Sequence, residues 1–203
     1  MTPWLRPSAT VLLCVLAAGG QHPSAAVQAP VTTPAPCTAP EYRQFDFWIG
    51  DWEVFDAASS APVAHVVVER ILDGCVLRED YQGANGTRGQ SFSTYDTARH
   101  VWHQSWVTNR GQLLVIEGGL EGREMVLAGD DPANGPRGRV RGVWTPDGGS
   151  VREVAVTSID GGATWRPWFD LVFRKHVTQS DQRVVGSSGQ MVKDDLRNGS
   201  KVD

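Results

Sequence analysis

Residues 99–129 read RHVWHQSWVTNRGQLLVIEGGLEGREMVLAG, and the architecture follows from this stretch. Three runs, 99–108, 111–118 and 122–129, are split by Asn109-Arg110-Gly111 and Glu121-Gly122. Asn and Gly tolerate the left-handed backbone that tight hairpin turns require. Within 99–108 the period is two: Trp102, Gln104 and Trp106 share one face, and Val101, His103, Ser105 and Val107 share the other. Outward from this core the pattern repeats over 47–56, 63–72, 75–82, 88–96, 138–145, 149–158 and 164–175. The breaks are again turn chemistry: Asp73-Gly74, Asn85-Gly86, Asn134-Gly135-Pro136 and Asp147-Gly148-Gly149. No helical period is sustained anywhere, and at most a turn near Glu41–Phe45 reads as helical. The 22 glycines and 8 tryptophans fit many tight turns joining aromatic strands. The expected fold is all-β, an antiparallel up-and-down meander of about eight to ten strands closed into a barrel, which hides its edges. A two-sheet β-sandwich is the alternative.

The strands occupy only part of the 203 residues. Arg6 precedes an apolar run, Ala9–Ala18, and small residues follow at Ser24, Ala25 and Ala26. That order of charge, apolar run and small-residue exit describes a secretory signal peptide over 1–26. The run is shorter than the roughly 20 residues a membrane span needs. Residues 27–40 are Pro-, Ala- and Thr-rich and read as a linker, 41–176 as the barrel domain, and 177–203 as a mobile polar tail. The expected location is therefore outside the cytoplasm, periplasmic or extracellular. A formal charge of −4 lacks the basic footprint of a nucleic-acid binder. Oligomeric state is not legible in the sequence.

Signal removal takes Cys14 away and leaves Cys37 and Cys75, an even count in an oxidising compartment. The expectation is a Cys37–Cys75 disulfide; two free buried thiols are the alternative.

The opening of the domain, Phe45 through Val54, reads FDFWIGDWEV and contains Gly50-x-Trp52 at the first strand. This resembles the G-x-W signature of calycins, the lipocalin-like barrels. That resemblance implies a Trp52 plug at one barrel end, covered by a basic residue of the last strand, Arg174 or Lys175. With ILDGCVLRED, WHQSWV, TSIDGGATW and a terminal FRK, residues 41–175 look like a bacterial domain-of-unknown-function family of calycin type. The resemblance implies a lipocalin-like barrel and supplies no activity. Ser158–Trp165 also matches the S-x-D-x-G-x-T-W Asp-box of sialidase propellers, but a propeller repeats it and this chain has one copy. Asp160 is read as bonding across its own Gly-rich hairpin, with Trp165 packing that turn on the core.

The chemistry available is sparse. If Trp102, Gln104 and Trp106 face inward, Gln104 is an amide between two indoles and needs a partner. Glu79 alternates with Cys75, Leu77 and Tyr81 on its strand, and Ser91 and Tyr95 would complete the group. Aromatic walls with a few convergent polar groups suit a small, largely apolar ligand. A satisfied core network in a solid barrel that acts through its surface competes with that reading. An enzyme using Glu79 as general acid or base is a further alternative. His100 and His103 fall on opposite strand faces, so they do not chelate together. Gly89-Gln90-Ser91-Phe92-Ser93 lacks the last glycine of a nucleophile elbow. The chain carries no phosphate-loop, dinucleotide-binding or zinc-knuckle motif. No cofactor or metal is expected.

Overall fold

The computed structural model describes residues 36–177. The expected signal peptide (1–26), most of the linker and nearly all of the tail lie outside the described residues. Ten antiparallel strands close into one barrel in the order β1-β10-β9-β8-β7-β6-β5-β4-β3-β2. They are β1 (Gly50–Asp56), β2 (Pro62–Ile71), β3 (Val76–Gly83), β4 (Arg88–Asp96), β5 (Val101–Thr108), β6 (Leu113–Glu121), β7 (Glu124–Asp130), β8 (Arg139–Asp147), β9 (Ser150–Ser158) and β10 (Arg166–Lys175). All ten sequence-derived strands are present, and the sandwich is excluded. Closure comes from β1 on β10, with Trp52 opposite Lys175 and Asp56 opposite Leu171, so neither strand presents a free edge. The β9–β10 register shifts between Pro167 and Phe169, at a residue that has no N–H to give.

Alternation sorts the side chains. Trp52 and Val54, Val66 and Val68, Leu77 and Glu79, and Trp102 and Gln104 point inward and are buried. An up-and-down order puts the β2–β3, β4–β5, β6–β7 and β8–β9 turns at one end, with the start of β1 and the end of β10. That end is closed from inside. Two 3₁₀ turns, Pro40–Arg43 and Asp46–Trp48, carry Phe45 and Trp48 into the barrel. Phe45 stacks on Trp48 at 4.9 Å and meets Trp102 at 5.8 Å and Trp144 at 5.5 Å. The first run, expected from residue 47, thus becomes a strand only at Gly50; the residues before it are the plug.

The Cys37–Cys75 disulfide is present, tying the plug to the β2–β3 turn. Arg43 reinforces it by donating to the carbonyls of Cys37 at 3.2 Å and Gly74 at 2.6 Å. Arg70 pairs with Asp46 from the barrel wall.

Trp52 sits at this closed end, fully buried, and donates through Nε1 to the carbonyl of Trp48 at 2.9 Å. The basic residue on it is Lys175, whose Nζ lies 3.7 Å from the ring centre. Arg174 is not that residue: it points out of the barrel and lies over Phe55 at 4.4 Å, because neighbouring strand residues face opposite sides. Trp165 also differs from expectation. It is 40% exposed and rests against Gly162 of its own turn, not against the core. Asp160 holds that turn as expected, accepting from Thr164 N at 2.9 Å, Thr164 Oγ1 at 2.6 Å and Ser158 Oγ at 2.7 Å. These bonds hold its carboxyl well below the usual range.

Candidate functional site

The lumen above the plug is not solid. It encloses a cavity of about 410 Å³, within the range of about 300–1,000 Å³ usual for small-molecule sites. Its floor is Trp48, Trp144 and Phe173, and its walls are Trp106, Leu114, Ile116 and Leu171. Asn85, Thr87 and Gln112 belong to the turns at the open end, where Trp168 packs on Phe169 at 5.0 Å. Two other depressions, by Gln82 and Asn109 and by Arg123 and Arg152, lie outside this lumen.

Each polar wall residue is placed by register. Glu79 on β3 lies opposite Ser91 on β4, and Ser91 Oγ donates to Glu79 Oε2 at 2.7 Å. One rung along, Ser93 lies opposite Gln104, whose Nε2 donates to Ser93 Oγ at 2.9 Å. Gln104 therefore finds its partner in Ser93, not in Glu79. Glycine makes room for the indoles: a Cβ on Gly89 would collide with the Trp106 ring, and one on Gly142 with the Trp144 ring.

Of the expected ligand residues, Glu79, Gln104 and Trp106 line the cavity, and Ser91 backs Glu79. Trp102 and Tyr95 do not line it. Two residues along a strand are about 6.8 Å, so Trp102 falls to the level of the plug, where its Nε1 donates to Gln44 Oε1 at 3.0 Å. Tyr95 packs there against Tyr42 at 5.8 Å and Trp102 at 6.1 Å.

Sequence reasoning missed Glu153. It alternates with the buried Val151 and Ala155 on β9, and a lone carboxylate between two apolar same-face residues was the available signal. Its cross-strand partner is Trp144, whose indole N–H favours the charged carboxyl yet falls short of a complete hydrogen bond. Burial, then the Glu79 charge, push the Glu153 carboxyl well above its usual range. Burial likewise raises Glu79 to about 7, partly offset by the Ser91 bond and reinforced by Asp80. Tyr81, also lining the cavity, is raised by desolvation and then by both glutamates. The three form one coupled acidic group inside an aromatic chamber. Among the described residues, Trp48 Nε1 and Trp144 Nε1 are buried without a hydrogen-bond partner.

Outside the barrel, Asp51, His65 and His176 bring three ligand atoms within 4.8 Å of one another, a donor set that suits a divalent transition metal. They come from three neighbouring chain segments, so no local spacing reveals them. A 2.7 Å bond between His65 Nε2 and Asp51 already occupies two of the three groups. His103, on the outer wall, bonds Glu117 at 2.8 Å, and His100 lies in the turn before β5, so that pair does not converge.

Among the described residues no helix is long and apolar enough to cross a membrane. No protein-family model matches the chain, and no curated protein matches it either.

Proposed function

We propose that the protein is an exported barrel of calycin type that binds a small, largely apolar molecule in its lumen. The observation that carries this reading is the 410 Å³ cavity: four indoles line it, and Glu79, Gln104 and Glu153 are among the polar groups on its wall. A structural core would be filled to organic-crystal density there. Export is supported by the apolar N-terminal run and by the Cys37–Cys75 disulfide, which persists in oxidising compartments. The calycin assignment rests on G-x-W at β1 and on Lys175 over Trp52.

The test is direct. Trp48, Trp106, Trp144 and Trp168 all line the cavity, so a bound apolar metabolite or neutral dye should quench indole fluorescence saturably. Ala155→Phe, which fills the lumen from β9, should abolish that response while the fold persists. Absence of any saturable binder, with no small molecule retained in native mass spectrometry, would leave a barrel acting through its surface.

The Glu79–Glu153 pair favours one second reading, acid–base catalysis with Glu79 raised by burial to about 7, where it can both give and take a proton near neutrality. Glu79→Gln separates the two: it abolishes turnover in an enzyme and changes affinity only modestly in a binder.

A further inference from the structure

We propose that the lumen is built for an organic ammonium ion: an amine whose charged head lies between Glu79 and Glu153 and whose apolar body runs along Trp106, Trp144 and Leu114. The inference rests on the lumen being a ligand site and names the class of ligand.

The first support is charge without a counter-charge. Glu79 and Glu153 enter one cavity from strands four places apart around the barrel, and among the described residues no Lys, Arg or His lines that cavity. The inward-pointing bases of the described residues are engaged at the closed end, Lys175 by the Trp52 ring and the Ile49 carbonyl at 3.2 Å and Arg70 by Asp46. Buried carboxylates are normally paired with a cation or held by full hydrogen bonding. A carboxylate has about four acceptor positions, and Glu79 receives one side-chain hydrogen bond, from Ser91.

The second support is the direction of the donors. Ser91 donates its hydroxyl to Glu79, and Trp144, a residue 97% buried whose indole N–H has no hydrogen-bond partner among the described residues, favours the charged form of Glu153. Donors of this kind stabilise the ionised carboxyl, whereas burial opposes it. A site needing only neutral polar contacts would be served by Ser or Asn. A positive charge from the ligand reconciles the donors with the burial. Trp106 and Tyr81, edge to face at 5.7 Å, add aromatic surface that attracts a cation.

The proton balance is simple. An ammonium ion entering from water meets a carboxyl group; the carboxyl proton passes to the buffer, and an ammonium–carboxylate pair remains. The titratable groups facing one another here are Glu79, Glu153 and Tyr81, with Asp80 behind Glu79 on the outer face of β3. β4, β5, β6, β8 and β10 present no titratable side chain to the cavity.

The experiment compares 2-phenylethylamine with its neutral isostere 2-phenylethanol by calorimetry on the full-length exported protein, with Nile red as a neutral reporter of the lumen. The amine should bind at least tenfold more tightly than the alcohol at pH 7, and its affinity should rise from pH 6 to 8. In Glu153→Gln and Glu79→Gln that preference should fall towards unity, with Nile red binding retained as proof of an intact lumen. Equal affinities in the wild type, with alcohol and dye still bound, would overturn the ammonium proposal and leave the ligand site standing. Failure of all three probes to bind would overturn both.

Discussion

Lys175 rests on the Trp52 ring because residue 50 has no side chain. A Cβ on Gly50 would collide with Lys175 Nζ and come within 2.7–2.8 Å of the indole. The two outer residues of G-x-W are therefore one device: the glycine leaves a slot, and the cation fills it over the tryptophan. Gly50→Ala should displace the ammonium and cost about 1–3 kcal/mol. Trp52→Ala, which empties a fully buried site, should cost about 3–5 kcal/mol. Urea midpoints check both, and unchanged midpoints would mean the closed end does not depend on this contact.

The disulfide spans 38 residues and anchors the plug that forms the cavity floor. Chain-entropy reasoning gives a loop of that length roughly 4 kcal/mol. Cys37→Ser with Cys75→Ser should lower stability by about 2–4 kcal/mol and should raise fluorescence of a dye that reaches Trp48. Peptide mapping without reductant should find the two cysteines linked; quantitative labelling of both thiols in the folded protein would contradict the bond.

The strands were legible because their signals are local: period-two alternation, bounded by Gly-containing turns whose positive φ is realised at Gly86, Gly111, Gly122 and Gly148. The site was legible only in part. Alternation identified the inward face of β5, so Gln104 and Trp106 were found. It carries no axial coordinate, so Trp102, on the same face, was placed in a cavity whose floor it lies below. Glu153 was missed because its meaning depends on Glu79, 74 residues earlier, and only barrel closure makes them neighbours. Trp48 falls within the run read as the first strand, 47–56, since nothing local says that a 3₁₀ turn at Asp46–Trp48 will tuck it inside.

The split between floor and wall predicts separable effects. Trp102→Phe removes the Nε1 bond to Gln44 and leaves a smaller ring in a fully buried site, so it should cost about 2–4 kcal/mol of stability and leave ligand affinity unchanged. Gln104→Leu should act the other way where the ligand meets the amide, weakening binding by about 1–3 kcal/mol. Thermal melts and fluorescence titrations on both variants would show this; equal effects of the two on binding would place Trp102 in the ligand site after all.

The acidic chamber should also make the barrel less stable as pH rises. Glu79 titrates near 4.5 when unfolded and about 7 when folded, so between these values the folded state holds the extra proton. Its stabilisation is complete below pH 4.5, declines between 4.5 and 7, and is lost above, a change of about 3 kcal/mol at 1.36 kcal/mol per pH unit. Glu153, raised by the same burial, acts with the same sign. The outer-wall carboxyls act oppositely but elsewhere: Arg99 and then His103 hold Glu117 down at about 2, so its contribution fades only below pH 4.5. Stability should therefore peak near pH 5 and fall towards pH 8. In Glu79→Gln the fall should be shallower, because one of the two coupled protons is gone. Urea midpoints at pH 5 and 8 decide it. A wild-type barrel as stable at pH 8 as at pH 5 would mean that both carboxyls are solvated and the chamber is wet enough to ionise them.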